Sequence, residues 1–172
     1  MPGSLTALTI AALLGLGAFH SLEQITYRTL FRFRGPIGWD ERLVLITIDD
    51  DSLKQLGRFP WSRQRYRQLL DTLAPSEAKL IVIDLIWSES SPDDAQLAQA
   101  IANQGKVVLA RAWDITGAPL LPVPELESVA IATGHVRTPI DTDGLVRRVD
   151  LEFQGQPALG VAAVQAYSLV FD

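Results

Sequence analysis

The chain has 172 residues, 15 Lys and Arg against 20 Asp and Glu, 48% hydrophobic residues and no cysteine. The length suits one domain with a core of its own, and the missing thiols exclude cysteine catalysis, disulfides and Cys-ligated zinc or iron–sulfur clusters. A net charge of −5 without a long basic run excludes a nucleic-acid partner, because phosphate binding needs clustered Lys and Arg.

Charge is absent from the start of the chain. Leu5 to Leu22 reads LTALTIAALLGLGAFHSL, and at about 1.5 Å per residue it reaches roughly 27 Å, close to the hydrocarbon thickness of a bilayer. A transmembrane helix is therefore expected. A signal peptide would want a basic start and a better cleavage site than Ala18-Phe19-His20. Glu23 to Arg34 continues as a juxtamembrane helix, ended by Gly35-Pro36. Arg28, Arg32 and Arg34 follow the apolar stretch and no Lys or Arg precedes it, which on local charge alone puts its C-terminal side in the cytoplasm.

Beyond residue 35, Leu43 to Ile48 (LVLITI) is an apolar, β-branched run between charged residues and predicts a buried strand. Asp51 is placed to cap a short helix that stops at Gly57. Ser62 predicts the start of a helix to about Ala74, with Tyr66, Leu69, Leu70 and Leu73 on one stripe. Leu80 to Ile83 is a second buried strand ending at Asp84. Ser91-Pro92-Asp93-Asp94 opens a helix that stops near Gly105, and Lys106 to Ala112 is a third strand. Strands alternating with helices imply crossovers and parallel pairing.

The pattern then changes. A short helix at 124–132 with Gly134 as its stop leads to two strand-like runs, 136–140 and 145–153, around the Asp-Gly turn at 143–144, a predicted β-hairpin. Leu159 to Phe171 closes as an almost uncharged helix. The expected fold is α/β: a three-layer sandwich with a mixed, mainly parallel sheet and a C-terminal β-hairpin. It comprises a transmembrane and juxtamembrane part, 1–35, and a folded domain, 36–172.

Asp49 and Asp84 end two strands, with Asp50, Asp51 and Glu89 nearby. In open α/β sheets ligands gather beyond the carboxyl ends of parallel strands, so these acids could line a crevice with Arg63 and Arg111. They could equally be helix caps and partners of backbone or arginine. Asp49-Asp50-Asp51 after a strand also resembles the Asp-x-Asp nucleophile of dehalogenase-like phosphatases, but the lysine and late acidic pair that chemistry needs are not in place. Asp141-Thr142-Asp143-Gly144 resembles the opening of a calcium loop without its later ligands, and reads better as a turn. Trp61, Trp87 and Trp113 could wall a ligand or pack a core. Neither a metal nor a cofactor is expected.

Taken together, RGP (34–36), LVLITIDDDSLKQLGRFPWSRQRYRQLLDTL (43–73), AKLIVIDLIWSE (78–89), DDAQLAQAIANQGKVVLA (93–110) and GHVRTPIDTDGLVRRVDL (134–151) resemble the second type of CHASE domain. These are extracytoplasmic sensory modules of bacterial cyclases and histidine kinases. The resemblance implies a non-enzymatic sensor in the inner membrane, its sensory domain periplasmic, passing an external small-molecule or ionic signal to a cytoplasmic kinase or cyclase. A homodimer is expected. The matching positions Asp49, Arg63, Asp84, Arg147 and Arg148, with Asp51 beside the first, are the expected ligand-binding or switch residues. A membrane-anchored dimerisation or scaffold module is the alternative, and an Asp-nucleophile phosphohydrolase a remote one.

Overall fold

A computed structural model describes residues 6–7, 10–12, 20–141 and 143–171. The chain divides into two compact units, Met1–Ile48 and Asp49–Asp172. Most of the predicted membrane span at 5–22 lies outside the described residues. Among the described residues no helix is long and apolar enough to cross a membrane.

In the first unit, helix α1 runs His20–Arg34. Thr26 and Thr29 hydroxyls donate to the carbonyls of Leu22 and Ile25, and Arg34 lies over the Phe31 ring at 4.5 Å. The helix ends where the sequence predicts, at Gly35, whose N–H donates to the Phe31 carbonyl. Leu43 to Ile48 is not the expected buried strand: it makes no ladder, and Val44 and Leu45 are 86% and 69% exposed. A β-branched run fits a sheet only when a neighbouring strand takes its backbone groups, and this unit holds no strand among the described residues.

The second unit opens with α2 (Asp50–Leu56) and α3 (Arg63–Leu73). Asp49, not Asp51, caps α2: its carboxylate accepts the N–H of Ser52 at 2.9 Å. The stripe expected on α3 is only partly inward, with Tyr66 and Leu70 buried and Leu69 exposed. Next come β1 (Ile81–Ile83), α4 (Asp94–Gln104), β2 (Val107–Trp113), β3 (Pro119–Leu120), α5 (Pro124–Glu127), β4 (Ala132–His135), β5 (Glu152–Phe153), β6 (Gln156–Pro157) and α6 (Leu159–Phe171). Helix α4 starts later than the serine cap predicts. Its N-cap is Asp93, because the Asp94 carboxylate reaches back to the Ser91 N–H and holds 91–93 as a turn.

The sheet is mixed and mainly parallel. Strand β2 is central, paired in parallel with β1 and β4 and, at its C-terminal end, antiparallel with β3. Val107, Val108, Leu109 and Ala110 are all completely buried, which follows from helices on both faces. Val107 and Leu109 join Leu70, Leu97, Ile101 and Leu126 in the larger core; Val108 joins Ala162 and Ala166 of α6 in the smaller one.

Two expectations fail in the last third. Gly134 is no helix stop but lies inside β4, because α6 needs its bare backbone: a Cβ there would sit 2.5 Å from the Leu159 Cα. The hairpin expected around Asp143-Gly144 shrinks to one antiparallel bridge, Ile140 to Val146. The real hairpin is β5–β6, turning at Gln154 and Gly155, both at positive φ (51° and 74°), the twist that two-residue hairpin loops favour.

Candidate functional site

Strands β2 and β4 run in parallel and end at Trp113 and His135. Just beyond their carboxyl ends lies a cavity of about 360 Å³, lined in part by Trp113, Asp114, Val136, Arg137 and Phe153. This is where ligands collect in open α/β sheets.

Each wall has a local cause. Trp113 and Phe153 meet edge to face, ring centres 4.8 Å apart, and Trp113 also sits 6.0 Å from the His135 ring. Arg137 leaves β4 two residues after His135, places its guanidinium 4.2 Å over the Phe153 ring and pairs with Asp150. Asp114 is committed to its own turn. One of its oxygens accepts the Thr116 N–H, the Thr116 hydroxyl and the Ala118 N–H, which hold its pKa below the ordinary carboxylate value. The cationic Arg137 is thus the charged group whose partner lies outside a turn of its own.

Behind the aromatic wall, His135 is 1% exposed. Its Nδ1 accepts the Arg137 backbone N–H at 3.2 Å, which leaves the hydrogen of the neutral ring on Nε2, a buried atom without a partner among the described residues. Burial pushes the His135 pKa down, with Asp150 opposing that shift and Arg137 adding to it. The residue also links the cavity to the last helix: His135 bridges to Ala158, and Ala158 N–H donates to the Leu151 carbonyl at 2.9 Å.

The polar residues singled out in the sequence fall into separate groups. Asp49 serves as the α2 cap, its pKa lowered by the Ser52 hydroxyl and N–H. Asp51 pairs with Lys54 on the same helix. Arg63 pairs with Asp94 at 2.8 Å, both nearly buried, donates to the Glu89 carbonyl and lies over Trp87. Arg147 holds Asp141 at 2.8 Å and Asp143 at 2.6 Å, while Arg148 takes the other oxygen of Asp141. These pairs push the Asp141 and Asp143 pKa values down and that of Arg147 up. One network joining Asp49, Arg63, Asp84 and Arg147 or Arg148 does not form: Asp49, Arg63, Arg147 and Arg148 are each engaged with other partners. Asp84 is exposed beyond β1, with no hydrogen-bond or ion-pair partner among the described residues. Arg111, also expected at the crevice, pairs with Glu127 of α5.

The three tryptophans singled out in the sequence divide between the two readings. Trp87 is part of the larger core and Trp61 packs against it, both beside Tyr66, and Trp113 lines the cavity. Arg137 and Phe153 carried no local signal, since their meeting depends on β5 returning to β4. No group of acids or histidines among the described residues could hold a metal.

A mainly parallel sheet between helices, with a cavity beyond the carboxyl ends of β2 and β4, places the described residues in the α/β class. A family model, the CHASE2 domain, matches residues 5–171, and the chain belongs to that family of extracellular sensory domains. Curated proteins and solved structures gave no match.

Proposed function

We propose that this chain is the extracytoplasmic sensory part of a membrane receptor that passes an external signal to a cytoplasmic kinase or nucleotide cyclase. The observation that carries the reading is the cavity at the ends of β2 and β4, whose wall residue Arg137 and neighbour His135 sit at the strand on which α6 rests. A ligand that shifts β4 or the β5–β6 hairpin must then shift the seat of α6. In this reading the uncharged stretch 5–22 is the anchor, the sensory domain is periplasmic, and the receptor works as a homodimer.

A chimera tests it: residues 1–172 replace the sensory part of a characterised transmembrane histidine kinase, and kinase output is read at matched membrane levels. Gly134→Ala, which forces α6 off β4, is expected to lock the output high or low. Wild-type output from a stably inserted Gly134→Ala chimera would remove the reading. Alkaline phosphatase joined after residue 172 should be active if the domain lies outside the cytoplasm.

One observation favours a second reading, a dimerisation or scaffold module without ligand. Val164 and Tyr167 of α6, three residues apart and opposite the buried Ala162 and Ala166, are 67% and 44% exposed, outward apolar positions that a second copy could cover. Self-association that no ligand stabilises further would favour it.

A further inference from the structure

The cavity carries the chemistry of its ligand in its walls. Its volume, about 360 Å³, lies at the small end of pockets that take organic ligands. Trp113 and Phe153, in contact edge to face, present apolar surface to the cavity against which a planar body can lie. At the rim, Arg137 is 43% exposed and its partner Asp150 37%, so the guanidinium is reachable from solvent and the pair holding it is weakened by water. The carboxylate of Asp150 occupies the guanidinium as an incoming carboxylate would. Asp114, the acid in the wall, has three donors of its own turn on one oxygen, and Arg137 is the cation of the lining.

Resting on the sensory reading above, we propose that the cavity binds a small organic carboxylate with a planar apolar body, and that the ligand binds by taking Arg137 from Asp150. The exchange has a mechanical consequence. Asp150 lies two residues before β5, and the next residue, Leu151, accepts the N–H of Ala158 immediately ahead of α6. Releasing Asp150 loosens the segment that ties the cavity to the base of α6, while the ligand ring holds Phe153 against Trp113. The ligand thus exchanges an internal ion pair for an external one and leaves the α6 tether changed.

The test is calorimetric titration of the full chain in mild detergent with phenylacetate, its uncharged amide phenylacetamide, acetate and inorganic phosphate. Phenylacetate is expected to bind saturably at millimolar concentration or below, and the other three more weakly. Arg137→Gln should weaken phenylacetate about tenfold without changing phenylacetamide. Asp150→Asn, which removes the competing charge, should tighten phenylacetate severalfold. Gain of affinity in this second variant cannot come from misfolding. Equal affinity for acid and amide, stronger binding of phosphate than of phenylacetate, unchanged affinity in Asp150→Asn, or no heat from any probe would each overturn the assignment. These failures are separable from failure of the sensory reading. A chimera that responds to Gly134→Ala while phenylacetate does not bind loses only the ligand class; a chimera indifferent to Gly134→Ala loses the sensory role, whatever binds.

Discussion

The strands around β2 and the segment between β4 and β5 belong to the same unit but are held by different forces. Val107 to Ala110 are completely buried and laddered on both sides. Among the described residues of 136–151 there is a single antiparallel bridge; Ile140, Val149 and Leu151 are more than half exposed, and the segment is tied down by Arg137–Asp150, Arg147–Asp141, Arg147–Asp143 and Arg148–Asp141. Apolar burial is non-directional and distributed over many contacts, so the first region moves only as a whole. Ion pairs are few, local and open to competition by salt or by another anion. In a sensor the movable part belongs in the second region, where the cavity has one of its walls.

The largest effects should come from the first region. Leu109→Ala empties a completely buried site between β2 and the helices, and is expected to lower global stability by about 2–5 kcal/mol in chemical denaturation of the full chain. Asp94→Ala should match it, at about 3–5 kcal/mol, because it strands the Arg63 guanidinium in a nearly buried position and also frees the Ser91 N–H. A loss in either variant no larger than that of an exposed substitution such as Val164→Ala would show that the core is not where the stability lies.

The second region should respond locally. Asp141→Asn weakens the carboxylate shared by Arg147 and Arg148, and is expected to speed amide exchange at Gly144 and Leu145 while leaving the exchange of Val108 and Leu109 unchanged. About 1 M salt, which shortens the screening length to about 3 Å, should reproduce the same local pattern in the wild type. Protection lost equally in both regions would erase the contrast between them.

How much of this was legible in the sequence follows the same division. Helices α3, α4 and α6 and strands β1 and β2 declare themselves through stripe, terminator or continuous apolar run, all properties of neighbouring residues. Strand β4 does not. Gly134 looks like a helix stop until Leu159, 25 positions on, comes close enough to forbid a side chain, and that is a tertiary event. The Asp-Gly pair at 143–144 outweighed the quieter Gln154-Gly155 turn, although only the latter closes a ladder. At the site, the sequence marked the carboxyl edge of the sheet as the place to look but chose its charged residues by strand position. Asp49 found its partner within its own helix and Arg63 found its partners ahead of and at the start of α4, whereas Trp113, Arg137 and Phe153 meet only because the chain returns from β5 to the end of β4.

The smallest effect tests whether the two regions are coupled at His135, which belongs to β4 and touches the cavity's aromatic wall. Its ordinary pKa is 6.5, and burial lowers it in the folded chain; nearby, Asp150 pulls it up and Arg137 pulls it down. A lowered pKa means that the unfolded chain takes up this proton at a higher pH than the folded one. The stability due to the neutral ring is therefore complete above 6.5 and is lost as pH falls from 6.5 toward the folded value. Protonation would also set a second donor against the Arg137 N–H at Nδ1, so the loss is concentrated at the end of β4. Thermal melts of the full chain between about pH 7.5 and 5.5, where the carboxylates stay ionised, should show wild type losing stability that a His135→Gln variant does not lose. If amide exchange in residues 150–158 quickens over the same range, β4 and the α6 tether respond together. A pH slope of the same size in both proteins would place the titration elsewhere and leave the two regions uncoupled at this residue.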